Sequence, residues 1–105
     1  MRLFNTLTRQ HEEFAPLRDN TVRMYSCGLT VYERGHIGNF RTFVCLDVLR
    51  RTLQSVCGWK VRQVMNFTDV DDRTILGAQK AGQDLRTYTT QYVDAFREDA
   101  AALGL

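Results

Sequence analysis

Cys27 and His36 stand toward the two ends of the stretch Met24-Tyr-Ser-Cys-Gly-Leu-Thr-Val-Tyr-Glu-Arg-Gly-His-Ile-Gly-Asn39. A thiolate is a soft metal ligand or a nucleophile, and an imidazole exchanges protons near neutrality. Gly35-His36-Ile37-Gly38-Asn39 lies where an apolar run, Val22 to Tyr25, has ended and a helical pattern begins. Backbone N–H groups at such a helix start can meet phosphate oxygens. Plainer readings exist for both residues. His36 reads equally as a surface histidine capping a helix, and Cys27 as a small buried side chain before a glycine.

Several chemistries are excluded. A Walker loop needs Gly-x-x-x-x-Gly-Lys-Ser/Thr, and no lysine lies between residues 24 and 59. Of a dinucleotide fingerprint only Gly35-His-Ile-Gly38 survives. No Gly-x-Ser-x-Gly supports a serine hydrolase. His11 and His36 are the only histidines, too few for a histidine-rich metal site. Asp69, Asp71 and Asp72 could suggest Mg²⁺, but acids in a first helical turn ordinarily complement its dipole. Arg41, Arg50, Arg51, Lys60, Arg62 and Arg73 fall within a third of the chain, and those from Arg50 to Arg62 read as a solvated basic face.

The elements that position these residues follow from pattern. Leu3–Gln10 and Glu13–Ala15 read as hairpin arms or a loose extension, with Pro16 and Asp19-Asn20 marking a turn. Val22–Ser26 is a strand. Phe40, Phe43, Val44, Leu46, Val48, Leu49, Leu53 and Val56 recur at helical spacing over Asn39–Cys57, and Gly58 stops that helix. Asp47, with Arg50 and Arg51 a turn further on, suggests a local ion pair. Trp59–Phe67 alternates as a second strand. Thr68-x-x-Asp71 predicts the start of a helix ending near Gly82. A last amphipathic helix runs from Leu85 to Leu103. The order β-α-β-α-α predicts parallel strands joined by a right-handed crossover. Two such strands are a poor sheet on their own, so the fold class is α/β, the first half of a doubly wound domain and incomplete.

A length of 105 residues allows one domain at most, and a formal charge of +2 is too small to argue for nucleic acid. Cys27, Cys45 and Cys57 form no disulfide or metal spacing among themselves, and this odd count without an export signal fits the cytosol. Asn66-Phe67-Thr68 matches a glycosylation acceptor formally, which means nothing in that compartment. No run approaches the ~20 apolar residues of a membrane span.

Four words occur in order: Phe4-Asn-Thr-Leu-Thr-Arg9, Met24-Tyr-Ser-Cys-Gly-Leu-Thr-Val-Tyr32, His36-Ile-Gly-Asn39 and Asn66-Phe-Thr-Asp-Val-Asp-Asp72. Together they resemble the N-terminal part of cysteinyl-tRNA synthetases, class I enzymes with a Rossmann-like catalytic domain. The resemblance covers nearly the whole chain. It implies that His36, Ile37, Gly38 and Asn39 occupy the His-Ile-Gly-His motif that binds ATP, with His36 and Asn39 serving its phosphates and Gly38 the adenine. Asn39 departs from the motif's last histidine; it keeps a donor but carries no charge. Cys27 matches the first zinc ligand, and Cys27, Gly28, Thr30 and Thr68 fall around the amino-acid pocket. From the residues alone, Thr68 is equally a helix N-cap. Cys45 and Cys57 match no ligand position.

What the resemblance implies is a monomeric cysteine–tRNA ligase acting on cysteine, ATP with Mg²⁺, and cysteine tRNA, aided by Zn²⁺. Residues 1–105 would be the N-terminal portion of its catalytic domain, with 1–20 a hairpin or extension, 21–82 the core and 83–105 a helix. Without the Lys-Met-Ser-Lys-Ser loop, three further zinc ligands and an anticodon-binding region, these residues alone are expected to be inactive and to bind zinc poorly. Two other readings stay open: a related ligase passing activated cysteine to a small amine, and a non-catalytic half-domain binding a nucleotide or a protein.

Overall fold

The computed structural model describes all residues, Met1–Leu105. Its elements are β1 (Arg2–Asn5), β2 (Gln10–Glu13), β3 (Thr21–Ser26), α1 (Ile37–Ser55), β4 (Lys60–Met65), α2 (Asp72–Ala81) and α3 (Leu85–Ala102). They form two compact units, one of residues 1–25 and 48–64, the other of residues 26–47 and 65–105.

In the first unit β1 and β2 form an antiparallel hairpin with Arg2 opposite Glu13 and Asn5 opposite Gln10. Asn5 Oδ1 accepts the Leu7 N–H at 3.0 Å, while Asn5 Nδ2 and Thr8 Oγ1 donate to the Glu12 carboxylate. Those donors, Thr8 foremost, hold the Glu12 carboxyl below its ordinary value. Asp19 and Asn20 both take the left-handed conformation (φ 49° and 50°), and Thr21 N–H closes the turn onto Arg18 O at 3.1 Å. That is a type I′ pair, for which Asp and Asn are suited because short polar side chains tolerate positive φ. Val22 and Leu53 are buried, and Phe14 meets Trp59 edge-on at 5.7 Å.

β3 and β4 pair as a two-stranded parallel sheet, so the class is an incomplete Rossmann-like α/β fold. Tyr25, Val48 and Val64 stay more than half exposed, as befits a parallel sheet lacking its usual cover of further strands and helices.

The second unit is built around aromatic rings. Phe96 of α3 stacks on Phe40 at 5.5 Å and receives Phe43 and Phe67 edge-on at 5.0 and 5.2 Å. Leu29 and Val31 complete this core from the loop after β3. Tyr88 Oη donates to the Tyr32 carbonyl at 2.7 Å. A hydrogen bond with Tyr92, then burial, pushes the Tyr88 phenol above its ordinary value, so it stays a neutral donor. Tyr88→Phe leaves that carbonyl without its partner and is expected to cost about 1 kcal/mol, read as a lowered urea midpoint.

The helices begin elsewhere than the pattern suggests. α1 starts at Ile37 rather than Asn39, because His36 and Asn39 cap it, as described below. The expected Thr68-x-x-Asp71 start of α2 is replaced by Asp71-x-x-Thr74. Asp71 Oδ1 accepts the Arg73 N–H at 2.8 Å, and the fully buried Thr74 hydroxyl accepts the Asp71 N–H at 2.9 Å. Thr68 is unavailable as a cap because its backbone is committed to a parallel bridge with Thr30. Gly82, in the left-handed conformation at φ 64°, ends α2 near the expected place.

Candidate functional site

A cleft of about 320 Å³ opens in the second unit, between the loop after β3, the first turns of α1 and the start of α2. Its floor is set by backbone pairing. Val31 N–H donates to Thr68 O at 3.1 Å, and Thr68 N–H donates to Leu29 O at 3.0 Å. This extended segment alternates: Val31 is fully buried while Thr30, between it and Leu29, lines the cleft. Gly28 N–H donates to Asn66 Oδ1 at 3.0 Å, and Asn66 Nδ2 reaches the Thr68 hydroxyl at 3.4 Å. A Cβ on Gly28 would lie 1.8 Å from the Asn66 carbonyl oxygen, so the two segments approach this closely only over a glycine.

Cys27, Gly28, Thr30 and Asn39 therefore share one cleft. Cys27 is exposed, which removes the reading of a buried small side chain. Its sulfur sits 3.7 Å from the Gly28 carbonyl, a weak contact that leaves the thiol open. Thiolate is a fitting zinc ligand, yet no three His, Cys, Asp or Glu side chains gather within this chain to hold an ion. Cys27 fits as one ligand of a set completed from elsewhere.

The motif's other residues do something the pattern did not anticipate. His36 Nδ1 accepts the Gly38 N–H at 3.1 Å, and Asn39 Oδ1 accepts the His36 N–H at 3.0 Å. This is a reciprocal capping box on α1, with His36 at the N-cap. A Cβ on Gly38 would come within 3.0 Å of the imidazole, so the glycine first serves the cap. With Nδ1 accepting, the ring is the neutral tautomer that carries its proton on Nε2. Asn39 lines the cleft, and with Oδ1 spent on the cap its Nδ2 is left as a donor. His36, Ile37, Gly38 and Thr68 do not line it. Cys27 therefore shares the cleft with the amide of Asn39 and not with the imidazole of His36, which turns back onto its own helix. No regular helix forms between Cys27 and His36.

Tyr32, Arg34 and Arg73 are among the lining residues that were not singled out for this site from sequence. Arg34 is held by the Asp99 carboxylate through two donors at 3.0 and 2.6 Å, with Glu98 at 3.3 Å. No local spacing reveals this pair, which joins the loop to α3 across the sequence. Arg34's hydrogen bonds hold the Asp99 carboxyl below its ordinary 3.8 against a smaller opposing effect of burial. The fold thereby favours the ionised acid. Its contribution is complete above the unfolded carboxylate's pKa and is lost as pH falls through the depressed folded value. Asp99→Asn should flatten the decline of the urea midpoint between about pH 5 and pH 3. An unchanged slope would contradict the assignment.

Residues 13–105 match the model of the tRNA synthetases class I (C) catalytic domain. Along its whole length the chain is 53% identical to a cysteine–tRNA ligase of Koribacter versatilis, covering 21% of that protein. It is 50% identical over its whole length to one of Protochlamydia amoebophila, covering 22%. Over 98% of the chain it is 48% identical to one of Thermococcus kodakarensis, covering 21%. It thus spans about a fifth of the length of these curated relatives. No helix is long and apolar enough to cross a membrane. With a family match over most of its residues, the chain belongs to the class I (C) tRNA synthetase catalytic-domain family.

Proposed function

We propose that this chain supplies the opening portion of a cysteine–tRNA ligase of the cytosol, the part that receives cysteine and ATP. The observation supporting this most is the placement of Cys27 and Asn39 in one cleft of a chain 53% identical to a protein of that name. Activation is attack of the cysteine carboxylate on the α-phosphorus of ATP, entering with Mg²⁺, and expulsion of pyrophosphate. The aminoacyl group then passes to the terminal adenosine of cysteine tRNA.

Such a reaction asks for positioning and charge stabilisation more than for acid–base work. Asn39 Nδ2 is the cleft's preorganised donor for a phosphate oxygen, with the exposed His36 Nε2–H outside the lining as a second; loss of one such donor costs about 3–4 kcal/mol in well-studied cases. Gly38 makes room for the His36 cap that fixes Asn39, and Ile37 stands exposed beside it. Thr30, fixed by its bridge to Thr68, orients the amine and carboxylate, with Gly28 holding the strand segment beneath it. Zinc, held by the Cys27 thiolate and by ligands outside this chain, would favour the substrate's sulfur over the hydroxyl of serine. Residues 1–20 and 83–105 flank a 21–82 core that does this work.

The test is ATP–pyrophosphate exchange by a protein carrying this chain together with the remainder found in its relatives. Exchange that needs cysteine and is not supported by serine is the expected result, and the 105 residues alone should show none. Transfer of cysteine to a small amine instead of tRNA would move the protein to the related ligases. Absence of any amino-acid activation would leave a binding module.

A further inference from the structure

Two guanidinium groups line the cleft, and they are in opposite states. Arg34 is neutralised by Asp99 and Glu98. Arg73 makes no ion pair; its guanidinium lies over the Tyr32 ring, 5.2 Å from the centroid, and Nη1 donates to the Tyr32 hydroxyl at 3.3 Å. Most of its N–H donors have no protein partner. Arg73 is also the second residue of α2, where the helix dipole disfavours a cation. A cation kept there against its helix, steadied by an aromatic face and left without a carboxylate, leaves the cleft in need of an anion. Glu33, the one acid lining the cleft, forms no ion pair with it.

We propose that Arg73, held on Tyr32, is the cleft's anion-binding residue and takes an oxyanion of the reactants, carboxylate or phosphate. The proposal rests on the functional reading above and adds a residue to it. Planar bidentate donation suits both groups, and the two come together when a carboxylate attacks a phosphate.

The chain is titrated with pyrophosphate, with cysteine, and with cysteamine, which lacks the carboxylate, following backbone amide shifts by NMR. Shifts should gather at Thr30, Tyr32 and Arg73. Arg73→Gln should weaken binding roughly tenfold or more, Arg73→Lys less, and Tyr32→Leu more than Tyr32→Phe. Arg41→Gln, on the exposed side of α1, is the control for general charge and should change little. Unchanged shifts outside the cleft establish that each variant is folded. Loss of pyrophosphate binding assigns Arg73 to phosphate; loss for cysteine but not cysteamine assigns it to carboxylate. Failure of the unmodified chain to bind either anion in the cleft, or equal effects of Arg73→Gln and Arg41→Gln, would overturn the proposal. Because no amino-acid activation is measured, this outcome is independent of the exchange assay.

Discussion

Phe96→Ala is expected to destabilise the chain by about 3–5 kcal/mol, the range for truncating a buried aromatic residue. Phe96 is 4% exposed and is the one ring that Phe40, Phe43 and Phe67 all touch. Its removal breaks three contacts between rings and opens a void bounded by α1, α3 and the segment after β4. Phe40 and Phe43 carry the first turns of α1, so the loss reaches Asn39 and the cleft as well as the core. A chain of this size has a total stability on the order of 5–15 kcal/mol, and the variant should therefore be largely unfolded at modest urea. Phe4→Ala is the comparison. Phe4 is 54% exposed with only His11 against its ring, and its truncation should cost less than about 1 kcal/mol. Equal midpoints for the two variants by circular dichroism would contradict this account of the core.

Gly28→Ala should be nearly as damaging, by about 3 kcal/mol or more, although it adds a single methyl group. The added carbon would sit 1.8 Å from the Asn66 carbonyl oxygen, a backbone atom that cannot swing aside. Separating the two segments stretches the hydrogen bond from Gly28 N–H to Asn66 and then the Thr30–Thr68 bridge. Gly58→Ala separates space from conformation: Gly58 sits at φ 68° with nothing within 4 Å of an added Cβ. It should cost only the left-handed penalty of about 1–2 kcal/mol. If Gly28→Ala proved the milder of the two in urea unfolding, the close approach that forms the cleft floor would be wrong.

The legible parts of this chain were those with local causes. Apolar periodicity marked α1 and α3, Asp19-Asn20 marked a tight turn, and glycines at 58 and 82 marked helix ends, both with positive φ. The alternating run after Gly58 became β4, parallel to β3 as the crossover rule requires. Local pattern misjudged the start of α2, since a Thr-x-x-Asp spacing looks the same whether or not its threonine is held by a distant strand. Thr68 is held by Leu29 and Val31, so the cap passed to Asp71. The cleft was half legible. Cys27 stood out as a thiol and Asn39 through the resemblance of its motif, but Tyr32, Arg34 and Arg73 acquire their roles from contacts across the sequence that no periodicity encodes. His36 carried two readings, cap and ATP ligand. The capping geometry is present, with the Nε2–H left over for a ligand.

One cleft, with a thiol on the β3 side and an amide at the start of α1, is proposed as the place where cysteine meets ATP. A crystal structure of the protein carrying this chain and the remainder found in its relatives, bound to a nonhydrolysable analogue of cysteinyl-adenylate, tests it most directly. The analogue's sulfur is expected on the Cys27 side and its phosphate mimic within about 2.7–3.2 Å of Asn39 Nδ2. An analogue seated elsewhere, with Cys27 and Asn39 both out of its reach, would contradict it.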